Sequence, residues 1–326
     1  MLSLMLTVLT FASCQSTDKT NSTTNSDPGT NNTGKKYKVA IVQLADNGAF
    51  TEMRESFIQE MRTLGYDEAQ MIFDIKNAQG DQSNLKTIVS RFKAEKPKLI
   101  CAIATPAAQA AAKDIPIVGT AITDYTSAKL VQNDERPGGN VTGVSDFAAM
   151  DAQMELAAKL IPQAKHVGLI YCSSEVNSEV QANQMKDYCK KHDLAVEERT
   201  VNNVNDIQQV AESLIGKVDY IYVPTDNTLA SSIPTLMKIT DANKIPVIVG
   251  ADIMAKDGAL AALSVDYYRL GKQTGELAAD ILDGKVKPET SPIQHQKDYT
   301  IVINKQDAEI LGLTIPEEIA KKANMV

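Results

Sequence analysis

Short, continuous runs of apolar residues alternate along most of the chain with longer segments in which apolar residues recur every three or four positions. The first run, Val39–Leu44, precedes a segment with helical spacing, Phe50–Leu64, which ends at Gly65. Continuous apolar runs are typical of parallel strands covered on both faces, and the longer spacing predicts amphipathic helices. The alternation from Tyr37 onward therefore predicts an α/β fold built from βαβ units around parallel sheets.

The same series of segments occurs twice. The sequence KVAIVQLADNGAF at Lys38 is echoed by HVGLIYCSSEVNS at His166, and LICAIATPAAQ is echoed by YIYVPTDNTLA. A third pair, IPIVGTAI at Ile115 and IPVIVGAD at Ile245, follows in the same order. Segments that repeat in order at a spacing of roughly 120–130 residues indicate two lobes of similar topology.

Polar or small residues follow each predicted strand. In an open parallel sheet, ligands bind beyond the carboxyl ends of the strands, where helix N-termini and free backbone groups converge. Polar strand ends from two lobes therefore predict one shared cleft. These ends are Ala45-Asp46-Asn47, Thr105-Pro106, Thr123-Asp124, Ser173-Ser174-Glu175, Thr225-Asp226-Asn227 and Ala251-Asp252.

The N-terminal residues follow a different pattern. Met1–Ala12 is apolar but shorter than the ~20 residues that span a bilayer, and it is typical of the core of a secretory signal peptide. Phe11-Ala12-Ser13-Cys14 resembles the lipobox of bacterial lipoproteins, which implies a signal peptide at 1–13 and acylation of Cys14. An ordinary signal peptide cut nearby is the alternative. Residues 14–36 are rich in Ser, Thr and Asn and predict a flexible tether.

Composition and charge exclude several classes of protein. A formal charge of −8 and a pI near 5.1, with no basic run, argue against binding to nucleic acid. Apart from Cys14, the odd number of cysteines and their spacing predict neither a full disulfide set nor a metal site. We interpret Cys101, Cys172 and Cys189 as small buried hydrophobic residues, and we expect no cofactor.

Five segments resemble the substrate-binding lipoproteins of ABC importers, and most of all the group for tryptophan and tyrosine uptake. The resemblance runs in family order from about Tyr37 to the C-terminus. The segments are NAQGDQSNLKTIVSRF (77–92), AIATPAAQAA (102–111), SSEVNS (173–178), VPTDNT (223–228) and VDYYRLGKQTGELAADIL (265–282).

This resemblance implies a type I periplasmic-binding-protein architecture, in which two Rossmann-like lobes with parallel sheets are joined by a three-crossing hinge. We place the crossings near Gly143–Phe147, Leu263–Asp266 and Thr290–His295. Lobe I then comprises 37–145 plus 265–292, and lobe II comprises 146–264 plus 293–326. Helix 267–282 would belong to lobe I, where Gly271 and Gly275 would allow close packing; alternatively, they only weaken an exposed helix.

The implied ligand is a small amino acid, and its two opposite charges predict the contacts that it makes. For its carboxylate we predict Ser173, Ser174 and Asn177 at a strand-to-helix turn, with Thr105 contributing from the other lobe. N-capping alone is the alternative for these residues. The ammonium needs a carboxylate. Three candidates are Asp226, which leads, then Asp124 and Asp266; Asp226 as a helix cap and Asp266 as a hinge residue are the alternatives.

An aromatic ligand side chain would also need flat, apolar contacts. Phe50, Tyr125, Phe147 and Tyr267 lie at or beside the predicted loops and are the candidates for stacking. Leu44, Ala107 and Met150 are candidates to fill the remaining space. The predicted ligand site is completed by the strand-end and hinge residues Asp46, Asn47, Ser145, Thr225 and Asn227.

The sequence thus predicts the extracytoplasmic solute-binding component of an ABC importer, which closes around an amino acid such as tryptophan, tyrosine or phenylalanine. Its predicted partners are this ligand, a membrane permease and the membrane itself, through the lipid anchor; the protein is expected to be a monomer. A lipoprotein that presents its ligand to a membrane receptor is the alternative. The sequence carries no P-loop, GxGxxG or nucleophile-elbow motif, which argues against an enzyme.

Overall fold

A computed structural model describes residues 36–111 and 114–326, and the first of its two sheets combines five strands from the N-terminal half with one late strand. The predicted signal peptide (1–13), the lipidation site Cys14 and all but the last residue of the predicted tether lie outside the described residues. The strands of this sheet run parallel in the order β11-β5-β4-β3-β1-β2. Their bounds are β1 Tyr37–Gln43, β2 Met71–Asn77, β3 Leu99–Ile103, β4 Ile117–Ile122, β5 Val141–Ser145 and β11 Gln294–His295.

The second sheet has the order β13-β12-β10-β9-β8-β6-β7. Neighbouring strands are parallel except for β10 and β12, which are antiparallel. Its strands are β6 His166–Cys172, β7 Ala195–Val201, β8 Tyr220–Val223, β9 Val247–Val249, β10 Ala261–Ser264, β12 Thr300–Ile303 and β13 Asn324–Met325.

The two sheets share one strand order, which confirms the repeat read from the sequence. In each, the first strand lies between the second and the third, with the fourth and fifth following on the side of the third. The three echoed segments contain β1 and β6, β3 and β8, and β4 and β9. The order reverses between β1 and β3 and again between β6 and β8, and a ligand crevice forms at such a point.

Helices connect the strands and cover the sheets, and their apolar faces complete the core. None of the described helices is long and apolar enough to cross a membrane. The helices are α1 Gly48–Thr63, α2 Gln82–Glu95, α3 Thr105–Ala111, α4 Met150–Leu160, α5 Val176–Lys191, α6 Ile207–Glu212, α7 Asn227–Ala230, α8 Ile233–Ala242, α9 Asp252–Lys256, α10 Tyr267–Leu282, α11 Lys305–Leu311 and α12 Glu317–Ala320. Cys101, Cys172 and Cys189 are buried and free.

The chain passes between the sheets at three places. It leaves the first sheet after β5, returns through the segment between β10 and α10, and leaves again between β11 and β12. Because β11 pairs with β5 in the first sheet, we place the third crossing at residues 296–299, slightly later than the sequence suggested. Gln296 joins the second and third crossings, since its side-chain amide accepts from Asp266 N (3.0 Å) and donates to Asp266 O (2.9 Å).

Helix α10 packs on α1 although the two are far apart in sequence. The contact is close because Gly271 and Gly275 lie on it. A Cβ atom on Gly271 would lie 2.0 Å from Ser56 Oγ and 2.3 Å from the backbone oxygen of Met53. Since a backbone oxygen cannot move aside without shifting α1, glycine is required for this packing, and the alternative of an exposed, weakened helix does not apply.

Replacing Gly271 with alanine is therefore expected to lower the free energy of unfolding by about 2 kcal/mol or more, through overpacking between the two helices. Thermal and urea denaturation measure the change. Gly139→Ala is the matched control, because nothing lies within 4 Å of a Cβ at that position. Equal stability of the two variants would contradict the packing argument.

Candidate functional site

A cavity lies between the two sheets at the carboxyl ends of their strands. It encloses about 30 Å³, close to the volume of one water molecule, so the two sides are nearly in contact. Residues from both lobes and from the first crossing form its wall. They are Asn47, Ala49, Phe50, Ala121, Thr123, Asp146, Asn177, Thr225, Asp226, Asn227, Ala230, Ala251, Ile253, Met254 and Tyr267.

Direct contacts join the lobes at this cavity. Thr123, which follows β4 in the first sheet, and Thr225, which follows β8 in the second, share a hydrogen bond with Oγ1 atoms 3.2 Å apart. A Cβ atom on Gly48, the first residue of α1, would lie 2.9 Å from Ile253 Cδ1 in α9. The polar strand ends of the two sheets therefore share one gap, as the sequence predicted.

The backbone at the end of β4 is irregular where it meets the cavity. Ala121 has a φ of +52°, a left-handed conformation that alanine rarely adopts, and the pairing of β4 with β5 shifts register between Gly119 and Ile122. This bulge lies directly before Thr123 and brings Ala121 into the cavity wall. Left-handed non-glycine residues occur often at binding sites, where the surrounding structure maintains the strain.

In the second lobe, two buried carboxylates bind all the leading N–H groups of the short helix α7. Glu175 Oε2 accepts from Asn227 N (3.0 Å), and its Oε1 accepts from Thr228 N (2.9 Å). Asp226 Oδ1 accepts from Leu229 N (2.8 Å), and its other oxygen accepts from Cys172 N (2.6 Å). Burial, followed by the nearby charge of Glu175, raises the pKa of Asp226 to about 7. This helix terminus therefore has no N–H group left for an anion.

Two buried oxygen atoms in the cavity wall have no donor among the described residues. They are Oδ1 of Asp146, which is 5% exposed, and Oδ1 of Asn177, which is 4% exposed. Burial raises the pKa of Asp146 to about 6. A buried acceptor without a donor costs about 1–3 kcal/mol, and more when it is charged. The two oxygens therefore provide acceptors for a ligand that carries N–H or O–H donors.

Part of the predicted site lines this cavity. The predicted residues in the wall are Asn47, Asn177, Thr225, Asp226, Asn227 and Tyr267, together with Phe50 from the proposed stacking residues. The predicted residues outside the wall are Asp46, Thr105, Asp124, Ser145, Phe147, Ser173, Ser174 and Asp266. Tyr125 is also outside it, because its ring is buried and its hydroxyl donates to Val144 O.

The residues outside the wall have other local roles. Asp124 and Asp266 accept backbone N–H groups three residues later, from Ser127 and Arg269, so Asp266 caps α10 at the second crossing. Asp226 also has the capping role that was its alternative, although it faces the cavity. Ser173 and Ser174 are exposed to solvent, as is Asp46.

The remaining three predicted residues are held inside the protein or at the first crossing. Ser145 Oγ donates to Thr123 O (2.9 Å) and accepts from Phe147 N (3.1 Å), so these two residues fix the start of that crossing. Thr105 is buried, but it does not reach the cavity. Thr105 follows the third strand of lobe I as Thr225 follows the third strand of lobe II, but only Thr225 lines the cavity. An equivalent position in the repeat therefore does not ensure contact with the cavity.

Sequence reasoning missed Asp146, Glu175 and Thr123 as site residues. Asp146 lies between two residues that were predicted, and Thr123 and Glu175 both lie in recognised polar strand ends. Their position beside a crossing or a strand end was therefore the one feature of the sequence that could have identified them. What the sequence did not show was which of several adjacent side chains turns toward the cavity.

Comparison with known proteins matches most of the chain to a family. Residues 38–326 match the family model described as ABC transporter substrate binding protein. A curated relative from Clostridioides difficile (strain R20291), the "Tyrosine-binding protein", is 40% identical over 283 residues, which is 86% of this chain and 82% of the relative.

Two solved structures are similar to this chain over most of its length. An ABC domain from Streptococcus pneumonia in complex with L-Trp has a TM-score of 0.86 at 37% identity, covering 90% of this chain and 100% of that one. The ligand-free, open structure of a substrate-binding protein with adhesive properties from Clostridium difficile has a TM-score of 0.70 at 39% identity, covering 89% and 99%. At similar identity, the structure described here is therefore more similar overall to the complex with L-Trp than to the ligand-free, open structure.

The fold itself is that of type I periplasmic binding proteins. More distant solved structures, at 12–15% identity and TM-scores of 0.57–0.61, include a glucose-galactose binding protein from Geobacillus stearothermophilus and transcriptional regulators. At this identity they share the architecture alone. The predicted fold class, with parallel sheets in two Rossmann-like lobes, is confirmed.

The raised pKa of Asp146 leads to a prediction about stability. In the unfolded chain the Asp146 carboxyl has a pKa of 3.8, so between about pH 4 and pH 6 it is ionised when unfolded but still protonated when folded. The free energy of unfolding therefore falls as pH rises through this range. Without ligand, Asp146→Asn should be more stable than the parent by about 1–3 kcal/mol above about pH 6, with the advantage vanishing near about pH 4. Thermal denaturation across this range measures it. Asp46→Asn, at an exposed position, is the control; a pH-independent effect at Asp146 would contradict the assignment.

Proposed function

The chain belongs to the ABC transporter substrate-binding protein family, and from this premise we propose that it captures an aromatic L-amino acid between its lobes for an ABC importer. The observation that carries the proposal is the pair of buried acceptors without donors, Asp146 Oδ1 and Asn177 Oδ1, in one interlobe cavity. An amino acid supplies the missing donors through its ammonium group. The names of the relatives, one tyrosine-binding and one in complex with L-Trp, support the aromatic class.

The ammonium group is assigned to Asp146 and Asn177. An ammonium has three N–H donors and a positive charge, so it satisfies both oxygens and balances the Asp146 carboxylate. Asp226 was the leading candidate from sequence, but its two oxygens already accept from the backbone at Cys172 and Leu229. We therefore give Asp226 a supporting role, in which it holds the second-lobe loop and adds negative charge beside the ammonium.

The ligand carboxylate is assigned to the first lobe. Helix α1 begins at the cavity with Asn47 as its cap, and its first turn contains no acidic residue. The N–H groups of Gly48 and Ala49 have no intrahelical partner because of their position, and a helix N-terminus favours an anion. In the second lobe, by contrast, carboxylates occupy the N–H groups of α7. Ser173 and Ser174, the residues first predicted for this role, are exposed and outside the cavity wall.

The ligand side chain is assigned to the apolar part of the wall. Phe50 and Tyr267 offer aromatic rings, each of which contributes about 0.5–1.5 kcal/mol beyond burial when it contacts another ring. The small residues of the wall leave room for the ligand side chain between the two rings once the lobes move apart. The apolar and small wall residues are Ala49, Ala121, Ala230, Ala251, Ile253 and Met254.

Capture then depends on rotation at the three crossings. A cavity of about 30 Å³ is far smaller than an amino acid, so the lobes must be further apart when the ligand enters. Asp146 lies at the first crossing, Asn177 in lobe II and α1 in lobe I, so all three contacts form only when the lobes close on the ligand. The ligand therefore favours the closed state by its differential affinity, and the permease binds that state.

The cellular setting follows from the same proposal. The protein acts outside the cytoplasm as a monomer, held to the membrane through the lipidated Cys14, and passes its ligand to a membrane permease. It binds without catalysis, since binding and release are the role of the family. The two carboxyl groups in the cavity wall, Asp146 and Asp226, then serve in ligand recognition.

We expect L-tryptophan, L-tyrosine or L-phenylalanine to raise the melting temperature, because a ligand bound only by the native state stabilises it by mass action. Thermal shift assays at saturating ligand measure this, with L-lysine and D-glucose as controls. Tyramine and tryptamine, which keep the ammonium, should bind better than the matching arylpropionates, since Asp146 repels an unpaired carboxylate. No shift with any of the three amino acids would contradict the proposed specificity.

Asp146→Asn is expected to weaken aromatic amino acid binding by about 10–100-fold, because a hydrogen bond to a charged partner contributes about 1.5–3 kcal/mol. Isothermal titration calorimetry measures the affinity. Asp46→Asn removes an aspartate at a strand end outside the cavity wall and should leave the affinity unchanged. Equal affinities of the two variants would move the ammonium site away from Asp146.

A further inference from the structure

Glu175 is a buried carboxylate that does not line the cavity but contacts residues that do. It is 6% exposed and lies at the N-cap of α5. Its side chain points across to the loop after β8, where it accepts hydrogen bonds from both the backbone and the side chains of Asn227 and Thr228. A fifth hydrogen bond comes from Asn177 Nδ2 (3.1 Å).

These bonds make the loops after β6 and β8 a single unit. Glu175, from the first loop, binds the second, and Asp226, from the second loop, accepts from the N–H of Cys172, the last residue of β6. Each carboxylate thus accepts hydrogen bonds from the segment that carries the other one. Because each is buried and accepts from backbone N–H groups, a change in either shifts the cavity wall at Thr225–Asn227.

The orientation of the Asn177 amide depends on Glu175. Nδ2 of Asn177 donates to three acceptors: Thr225 O at 2.8 Å, Glu175 Oε2 at 3.1 Å and Ser178 Oγ at 3.2 Å. These acceptors fix the amino group on their side and leave Oδ1, which has no donor among the described residues, for the cavity. Glu175 provides the one charged acceptor among the three, so replacing it with a donor would remove the strongest of the contacts that hold the amide in this orientation.

We propose that Glu175 is a positioning residue for ligand recognition: it holds the Asn177 amide with its oxygen toward the ligand ammonium and occupies the N–H groups of α7. The second effect denies the ligand carboxylate a site in lobe II and so fixes the direction in which a zwitterion binds. This role rests on the proposed function. It extends that function by a residue which acts through Asn177 and does not itself touch the ligand.

A double-mutant cycle tests the role, with L-tryptophan and L-tyrosine as probes in titration calorimetry. Glu175→Gln places an amino group against donors and should weaken binding by about 10–100-fold. In an Asn177→Ala background the same change should weaken binding by a clearly smaller factor than in the parent, because the effect through the Asn177 amide is gone while the effect through α7 remains. Glu179→Gln, an exposed position one turn along α5, is the control and should match the parent.

A second measurement separates positioning from general damage to the fold. The preference for L-tryptophan over indole-3-propionate, which lacks the ammonium, should fall in Glu175→Gln, whereas simple destabilisation would weaken both ligands equally. Should Glu175→Gln fail to fold, Glu175→Asp retains the charge but shortens the reach to Asn177, and it should show the same loss of preference.

The outcomes distinguish the two proposals. An unchanged preference for L-tryptophan, or a cost of Glu175→Gln that is as large in the Asn177→Ala background as in the parent, would overturn the role of Glu175 alone. Parent protein that binds neither amino acid would overturn the proposed function and the role of Glu175 with it.

Discussion

A buried oxygen that accepts no hydrogen bond is costly, and a buried carboxylate without a counter-charge is more so. In this protein both occur in one interlobe cavity, at Asn177 and Asp146. The residues described in the cavity wall include two aspartates but no lysine, arginine or histidine, so in the proposed function the compensating charge comes with the ligand. The organisation of the lobes, the capping of α7 and the position of the first crossing all relate to the need for a donor with a positive charge at these two oxygens.

The two lobes have the same strand order but opposite electrostatic character at the cavity. In lobe I, α1 presents a helix N-terminus with an amide cap and no acidic residue in its first turn. In lobe II, Glu175 and Asp226 neutralise the N-terminus of α7 and leave a net negative environment. A repeated fold that carries different side chains at equivalent ends therefore creates a dipolar gap, which matches a zwitterion in only one orientation.

The fold was readable from the sequence because parallel strands covered on both faces are continuous apolar runs, and β1, β3, β4, β6, β8 and β9 all lie in the echoed segments. The site was readable only in part. Successive side chains of an extended segment point in opposite directions. The prediction selected Ser145 and Phe147, whereas the residue between them, Asp146, faces the cavity. Similarly, Ser173 and Ser174 follow a strand as expected but point to solvent. Glu175 required a partner in a distant loop, which no local pattern reveals.

Burial of Asp146 also explains why closure and binding must be coupled. In this arrangement of the lobes its carboxylate is buried, and the rise of its pKa to about 6 reflects the cost of holding that charge away from water. A ligand ammonium offsets this cost in the closed state and contributes much less in the open state, where water already solvates the carboxylate. Since a ligand shifts an equilibrium only by its difference in affinity for two states, the poorly solvated carboxylate increases that difference. Under the proposed function, the feature that makes the closed form unfavourable without an ammonium therefore also makes closure a specific signal that an amino acid is bound.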